Sequence, residues 1–251
     1  AGSEDRRRTR LDLKYDGGSP QITDNWKGFG LSATVSDLSS DNAWHYLVSS
    51  YDQTTRRIYL DGAQVASETT SQDKRVNNLG TLRVGCSINH RFQGFLGEVT
   101  VWSVALSASQ IELFYRFPYT TDGTESGLVS AWKFHEESSS IIYDLNSIND
   151  LALSGATHSW LNIDLRKPGA EAILYFDGAD DYMHRAIANN LPSGISSYTI
   201  AAWVKSSKLQ TYGIVEWGTQ ASSQMTGISW QQGSGGSISN YWSGNDLTTA
   251  L

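Results

Sequence analysis

The sequence predicts an all-β fold, a sandwich or barrel of short strands, on three observations. Alternating apolar runs recur along the chain, Gly, Asn, Asp and Ser separate them, and only one stretch has a helical pattern. With 251 residues, 39% of them hydrophobic, and nine tryptophans, the chain can bury a large core without disulfide staples.

In chain order, strands are expected at 44–48, 57–60, 81–85, 99–102 and 197–204, each an apolar run with β-branched or aromatic residues. The helix is expected over 107–117. Ser107 can cap it, Gln110 follows three residues later, and Leu106, Ile111, Leu113 and Phe114 offer an apolar stripe before Pro118 stops it.

Composition excludes several functions. A net charge of −7 and a pI near 5.2 argue against a nucleic-acid partner, which needs a basic face. The run Arg6 to Arg8 reads as a solvated loop. A single cysteine, Cys86, leaves no disulfide within the chain, and no Cys/His cluster has zinc spacing. No run of about 18 apolar residues predicts membrane insertion, and a secretion signal, if there is one, is expected outside this segment.

The two ends of the chain repeat one another. Gly17, Ile22, Trp26, Gly28 and Leu31 recur as Gly233, Ile238, Trp242, Gly244 and Leu247, each displaced by 216 positions (242 − 26). The chain thus carries one period and an overlap of 35 residues (251 − 216).

Residues 42–48 leading to Tyr51-Asp52, then Ile58-Tyr59-Leu60-Asp61-Gly62, Leu82-Arg83-Val84-Gly85 and Phe95-Leu96-Gly97-Glu98-Val99-Thr100-Val101-Trp102 resemble the middle and end of a laminin-G-like domain of the concanavalin A-like superfamily. The opening strands of such a domain are resembled only later, by residues 128–136, 175–182 and 198–204. The resemblance implies an antiparallel jelly-roll sandwich with one short C-terminal helix per module. It also sets the phase: 1–118 as the C-terminal half of a first module, 119–126 as a linker and 127–251 as the N-terminal half of a second.

Neither half is complete, so something must cover the apolar faces and strand edges of each. The halves can close on each other, neighbouring chains can exchange halves, or the segment can belong to a longer tandem array. Exchange or an array is favoured, because one closed sandwich makes the overlap redundant.

Trp44, Trp102, Trp132 and Trp203 are expected to fill the sandwich core. Trp26, Trp230, Tyr241 and Trp242 stand beside Gly, Asn and Asp, where rim loops would expose them as a sugar-stacking platform or other ligand site. Asp177, Asp180 and Asp181 offer oxygen ligands to calcium or, alternatively, form an ordinary Asp/Gly turn, and the resemblance adds Glu98 to the candidate metal ligands. No paired carboxylates at i and i+4 of a strand point to glycan cleavage. Glu136 and Glu137 are adjacent and would face opposite sides, so no catalytic residue is assigned.

The expected function is a non-enzymatic extracellular structural or adhesive repeat unit that assembles head to tail by completing neighbouring sandwiches. The alternative is a calcium-assisted carbohydrate- or protein-binding module of a larger secreted or surface protein. Its partners would be copies of itself or adjacent modules, glycans or extracellular proteins, with calcium as the one expected cofactor.

Overall fold

Strands with every residue buried are explained by cover on both faces, and that arrangement organises this chain. The computed structural model describes residues 9–14, 21–26, 29–34, 38, 41–69, 80–86, 91–136, 139–154, 160–163, 171–206, 212–218, 225–231 and 237–242; for 9–14, 21–26, 29–30, 32–34, 160–163, 171–172, 212, 225–231 and 237–242 it describes the backbone alone. Up to the helix the strands are β1 (Thr9–Lys14), β2 (Gln21–Trp26), β3 (Phe29–Thr34), β4 (His45–Tyr51), β5 (Thr55–Leu60), β6 (Ala63–Thr69), β7 (Leu82–Val84) and β8 (Gln93–Trp102). After helix α1 (Ala108–Arg116) come β9 (Leu128–Trp132), β10 (Ile141–Ile142), β11 (Leu151–Ser154), β12 (Trp160–Ile163) and β13 (Glu171–Asp177). The last are β14 (Tyr182–Arg185), β15 (Tyr198–Ser206), β16 (Tyr212–Gly218), β17 (Met225–Gln231) and β18 (Ser237–Trp242).

They form two sheets. One runs β10-β11-β14-β7-β16-β17-β18-β1-β2-β3, the other β12-β13-β8-β15-β4-β5-β6 with β9 beside β8. Among the described residues every strand pairing is antiparallel except one bridge between β18 and β2.

The two stretches of the sequence interleave in both sheets. β8 lies between β13 and β15, with Leu96 opposite Leu174 and Thr100 opposite Ala201. β4 flanks β15 on its other side, Val48 opposite Ala201. In the second sheet β7 lies between β14 and β16, with Val84 opposite both Met183 and Val215. Within the one chain these strands complete the sandwich, the first of the three arrangements open to the two halves. The physical reason is tethering, which puts each half beside its complement at an effective concentration of order millimolar.

A first core fills the space between the sheets, with Trp132, Trp217, Phe92, Phe176, Leu82, Val84 and Ile200 buried there. A second core lies on the outer face of the β4–β15–β8 sheet, built from Tyr46, Tyr59, Trp102, Ile111 and Trp203. Trp102 and Trp203 were expected in the sandwich interior, but they face the other way, under α1. Trp102 meets Phe114 at 5.3 Å, and Tyr115 stacks on Trp203 at 5.7 Å. Trp44 packs partly buried at the edge of this second core, and Trp132 alone of the four sits between the sheets. The second layer explains why all seven residues of β4 are buried.

The helix starts where expected. Ser107 Oγ accepts from the Gln110 N–H at 3.3 Å and Gln110 Oε1 accepts from the Ser107 N–H at 2.9 Å, a reciprocal capping box. Ile111 and Phe114 carry its contact with the sheet, whereas Leu113, expected in the stripe, is exposed.

His45 ties β4 to the β5–β6 turn. Its Nδ1 lies 2.9 Å from Asp61 Oδ2 and its Nε2 3.1 Å from Asp41 Oδ2, while Asp61 Oδ1 accepts from the Tyr46 N–H at 2.9 Å. Burial works against the charged ring, but the bond to Asp61 and the charges of Asp61 and Asp41 outweigh it and raise the pKa above 6.5. The folded protein therefore keeps a proton that the unfolded chain releases. This contribution is complete below the unfolded value of 6.5 and is lost as pH rises through the raised folded value. Thermal unfolding between about pH 6 and about pH 9 should show a loss of stability in the wild type that His45→Gln removes.

Candidate functional site

The site begins where the chain crosses from one sheet to the other. β9 ends at Trp132 in the β8 sheet, Phe134 takes a left-handed φ of 59°, and by Ile141 the chain has joined the edge of the opposite sheet as β10. Between these elements lies a groove of about 270 Å³ at the sandwich rim, lined by Lys133, His135, Glu136, Tyr143, Asp144 and Leu145 over Ala131 and Phe134.

Its walls are fixed from below. Asp144 is buried, and its two carboxylate oxygens accept four backbone N–H groups: Ala131 at 3.0 Å and Asn146 at 3.2 Å on Oδ1, Asn149 at 2.9 Å and Ile148 at 3.3 Å on Oδ2. The Leu145 N–H donates to the Ala131 carbonyl at 2.8 Å, which holds this wall to β9. Asn149 continues the lattice: its Nδ2 donates to Ser130 Oγ and the Asn189 carbonyl, both at 2.9 Å.

The segment 119–126 does not line the groove but holds two residues that do, Lys133 and His135. Tyr119 stacks parallel to His135 at 6.1 Å, and Lys133 Nζ donates to the Tyr119 carbonyl at 2.7 Å. Glu98 of β8 anchors that segment. Its carboxylate accepts from the Thr121 hydroxyl and, at 3.0 Å, from the Tyr119 N–H, while the Glu98 N–H donates to the Tyr119 hydroxyl at 3.1 Å. Burial raises the Glu98 pKa despite the opposing pull of Thr121, Lys133 and Tyr119.

What faces the groove is chemically mixed. Tyr143 and Leu145 are exposed on its lip, and Glu136 Oε1 accepts from the Tyr143 N–H at 2.7 Å. Glu136 Oε2 is buried and has no hydrogen-bond partner among the described residues. A buried carboxylate oxygen without a donor is an acceptor waiting for one.

The expected site residues lie elsewhere. Trp26, Trp230, Tyr241 and Trp242 stand in strands β2, β17 and β18 rather than in loops, and their side chains lie outside the described residues. Asp177, Asp180 and Asp181 do come together, with ligand atoms within 4.8 Å of one another. The turn also uses them internally: Asp181 Oδ2 accepts from the Asp177 N–H at 3.0 Å, Asp177 Oδ1 from the Ala179 N–H at 2.7 Å, and Gly178 takes φ +83°. Glu98 is not part of this group. Gln93 is the residue opposite Asp177, and Glu98 lies five positions further along β8, roughly 16 Å away. The sequence reading missed the groove, because Glu136 was weighed only against its neighbour Glu137.

The fold is an antiparallel two-sheet sandwich with one helix, the architecture of the concanavalin A-like class. In agreement, residues 2–112 match the laminin G model of the concanavalin A-like lectin/glucanases superfamily, which takes in β1 through most of α1. Neither a comparison with curated proteins nor one with solved structures finds a match. Among the described residues no helix is long and apolar enough to cross a membrane.

Proposed function

We propose that this chain is a non-enzymatic, extracellular binding module that takes a carbohydrate in the groove between β9 and β10. The observation that carries this reading is the exposed ring of Tyr143 on the lip of a groove that Glu136 also lines; Glu136 Oε2, buried and without a partner among the described residues, meets a ligand once its side chain turns outward. A sugar supplies both complements, hydroxyl donors for the carboxylate and a C–H face for the ring. The non-enzymatic reading is supported by Asp144, the other carboxylate of the groove, whose oxygens are occupied by four backbone N–H groups and cannot serve a general acid–base pair with Glu136.

Saturation-transfer NMR with the methyl glycosides of glucose, galactose and N-acetylglucosamine tests it. At least one should bind, with Tyr143→Ala and Glu136→Gln each weakening binding roughly fivefold or more. Absence of transfer from all three, or binding that neither variant changes, contradicts the assignment.

Calcium belongs to this proposal as an aid at the Asp177–Asp180–Asp181 turn, supported by three carboxylates within 4.8 Å. Adding calcium to chelator-treated protein is expected to raise Tm, and an unchanged Tm removes calcium from the account.

A second reading has its own observation. As a structural repeat unit, the chain would assemble head to tail with its neighbours, and the duplicated ends of the sequence meet in one sheet: Trp242 bridges to Trp26, its counterpart at the 216 offset. Light scattering across a concentration series tests this reading, with oligomers expected and a monomer at every concentration contradicting it.

A further inference from the structure

We infer that β18 is a second copy of β2, and that this surplus copy is a docking strand for a second copy of this chain. The inference rests on the repeat-unit reading and names the surface through which it works.

The register carries the argument. On one side of β1, Leu13 stands opposite Ile22, Asp12 opposite Thr23 and Leu11 opposite Asp24. On its other side the same residues stand opposite Ile238, Ser239 and Asn240. Those three are the counterparts of Ile22, Thr23 and Asp24 at the 216 offset, so β18 takes against β1 the register that β2 takes. β1 is thus held between two copies of its own hairpin partner.

Within its own hairpin β18 pairs differently. Ile238 stands opposite Trp230, whose counterpart at the offset is Lys14 and not Leu13, a shift of one residue. One residue of slip moves every side chain of a strand to the other face, so a register reproduced over three consecutive pairs is a specific match. β18 therefore fits β1 in the repeat's native register and fits β17 out of it.

A sandwich holding one period has one place for this strand, yet the sheet order β16-β17-β18-β1-β2-β3 accommodates two, one on each side of β1. The seam between them is the β18–β1 pairing together with the bridge between Trp242 and Trp26. Opened there, β18 presents the register that β1 of a second copy accepts, and β1 presents the register that the second copy's β18 accepts. The contact is heterologous, so it propagates into a chain of copies while β4, β7, β8, β13, β15 and β16 keep each sandwich closed.

The test uses the full chain carrying Asp12→Cys with Ser239→Cys, and separately Leu11→Cys with Asn240→Cys. Successive cross-strand pairs alternate in geometry, so one of the two suits a disulfide. Cys86 does not interfere, since it is buried and its thiol pKa is pushed up to about 12. After mild oxidation, a non-reducing gel should show a ladder at multiples of 27.6 kDa that grows with concentration and is absent from the single-cysteine variants. Cross-linked monomer alone at every concentration, while the wild type still forms oligomers, overturns β18 as the docking element and leaves the repeat-unit reading standing. A wild type that stays monomeric throughout overturns both. No cross-link from either pair contradicts the β1–β18 register itself.

Discussion

Gly94→Ala is expected to destabilise the protein by roughly 3 kcal/mol or more, which for a chain of this size lowers Tm by roughly 10 °C. Gly94 lies in β8 at φ +140°, opposite Phe176 of β13 and Ser206 of β15. A Cβ there would stand 2.3 Å from the Lys205 carbonyl oxygen and 2.9 Å from the Ser206 Cα, and backbone atoms cannot rotate out of the way. The variant must part β8 from β15, the junction where the two stretches of sequence join. Gly194→Ala is the control: its φ is +63°, but a Cβ meets nothing within 4 Å, so the expected loss is only about 1 kcal/mol. Thermal unfolding followed by circular dichroism measures both. Equal losses in the two variants would mean that β8 and β15 do not approach as described.

Asp144→Ala is expected to be nearly as damaging and to abolish the groove as well. The substitution leaves the N–H groups of Ala131, Asn146, Ile148 and Asn149 without their acceptor beneath a buried wall. Each unsatisfied donor costs about 1 kcal/mol or more, partly recovered as water enters, for a total of roughly 3 kcal/mol. Asp144→Asn keeps one oxygen and should lose about half as much. Denaturant midpoints give the stabilities. Saccharide binding should fail in Asp144→Ala even where the protein is still folded, because the wall that carries Tyr143 and Leu145 loses the Asp144 bond to the Ala131 N–H of β9 and keeps only the Leu145 one.

The fold was legible in the sequence where local physics decides it. The apolar runs at 44–48, 99–102 and 198–204 became β4, the end of β8 and β15, and the Ser107/Gln110 pair marked the helix start. The face toward which Trp102 and Trp203 point was not legible, because alternation separates two faces without saying what covers each. Closure of the two halves was not legible either. It rests on pairings such as Thr100 with Ala201, about a hundred residues apart, which no local pattern encodes.

The candidate site was less legible than the fold. The groove depends on Phe134 turning at positive φ, on Asp144 gathering N–H groups from as far as Ala131, and on Glu98 holding Tyr119 from a distant strand. One signal was present: the polar run Asp144-Leu145-Asn146-Ser147-Ile148-Asn149-Asp150 has the composition of a side-chain-bonded turn. The Asp177–Asp181 turn was legible as a cluster because its residues are neighbours in sequence.

The measurement that bears most directly on the closed sandwich is backbone NMR on a mixture of isotope-labelled and unlabelled chains. Closure within one chain predicts cross-strand contacts between Thr100 and Ala201, Leu96 and Leu174, and Val84 and Val215 inside labelled molecules, undiminished by dilution with unlabelled protein. Contacts for these pairs that appear only between labelled and unlabelled chains would contradict it, and would show each half completed by a neighbour.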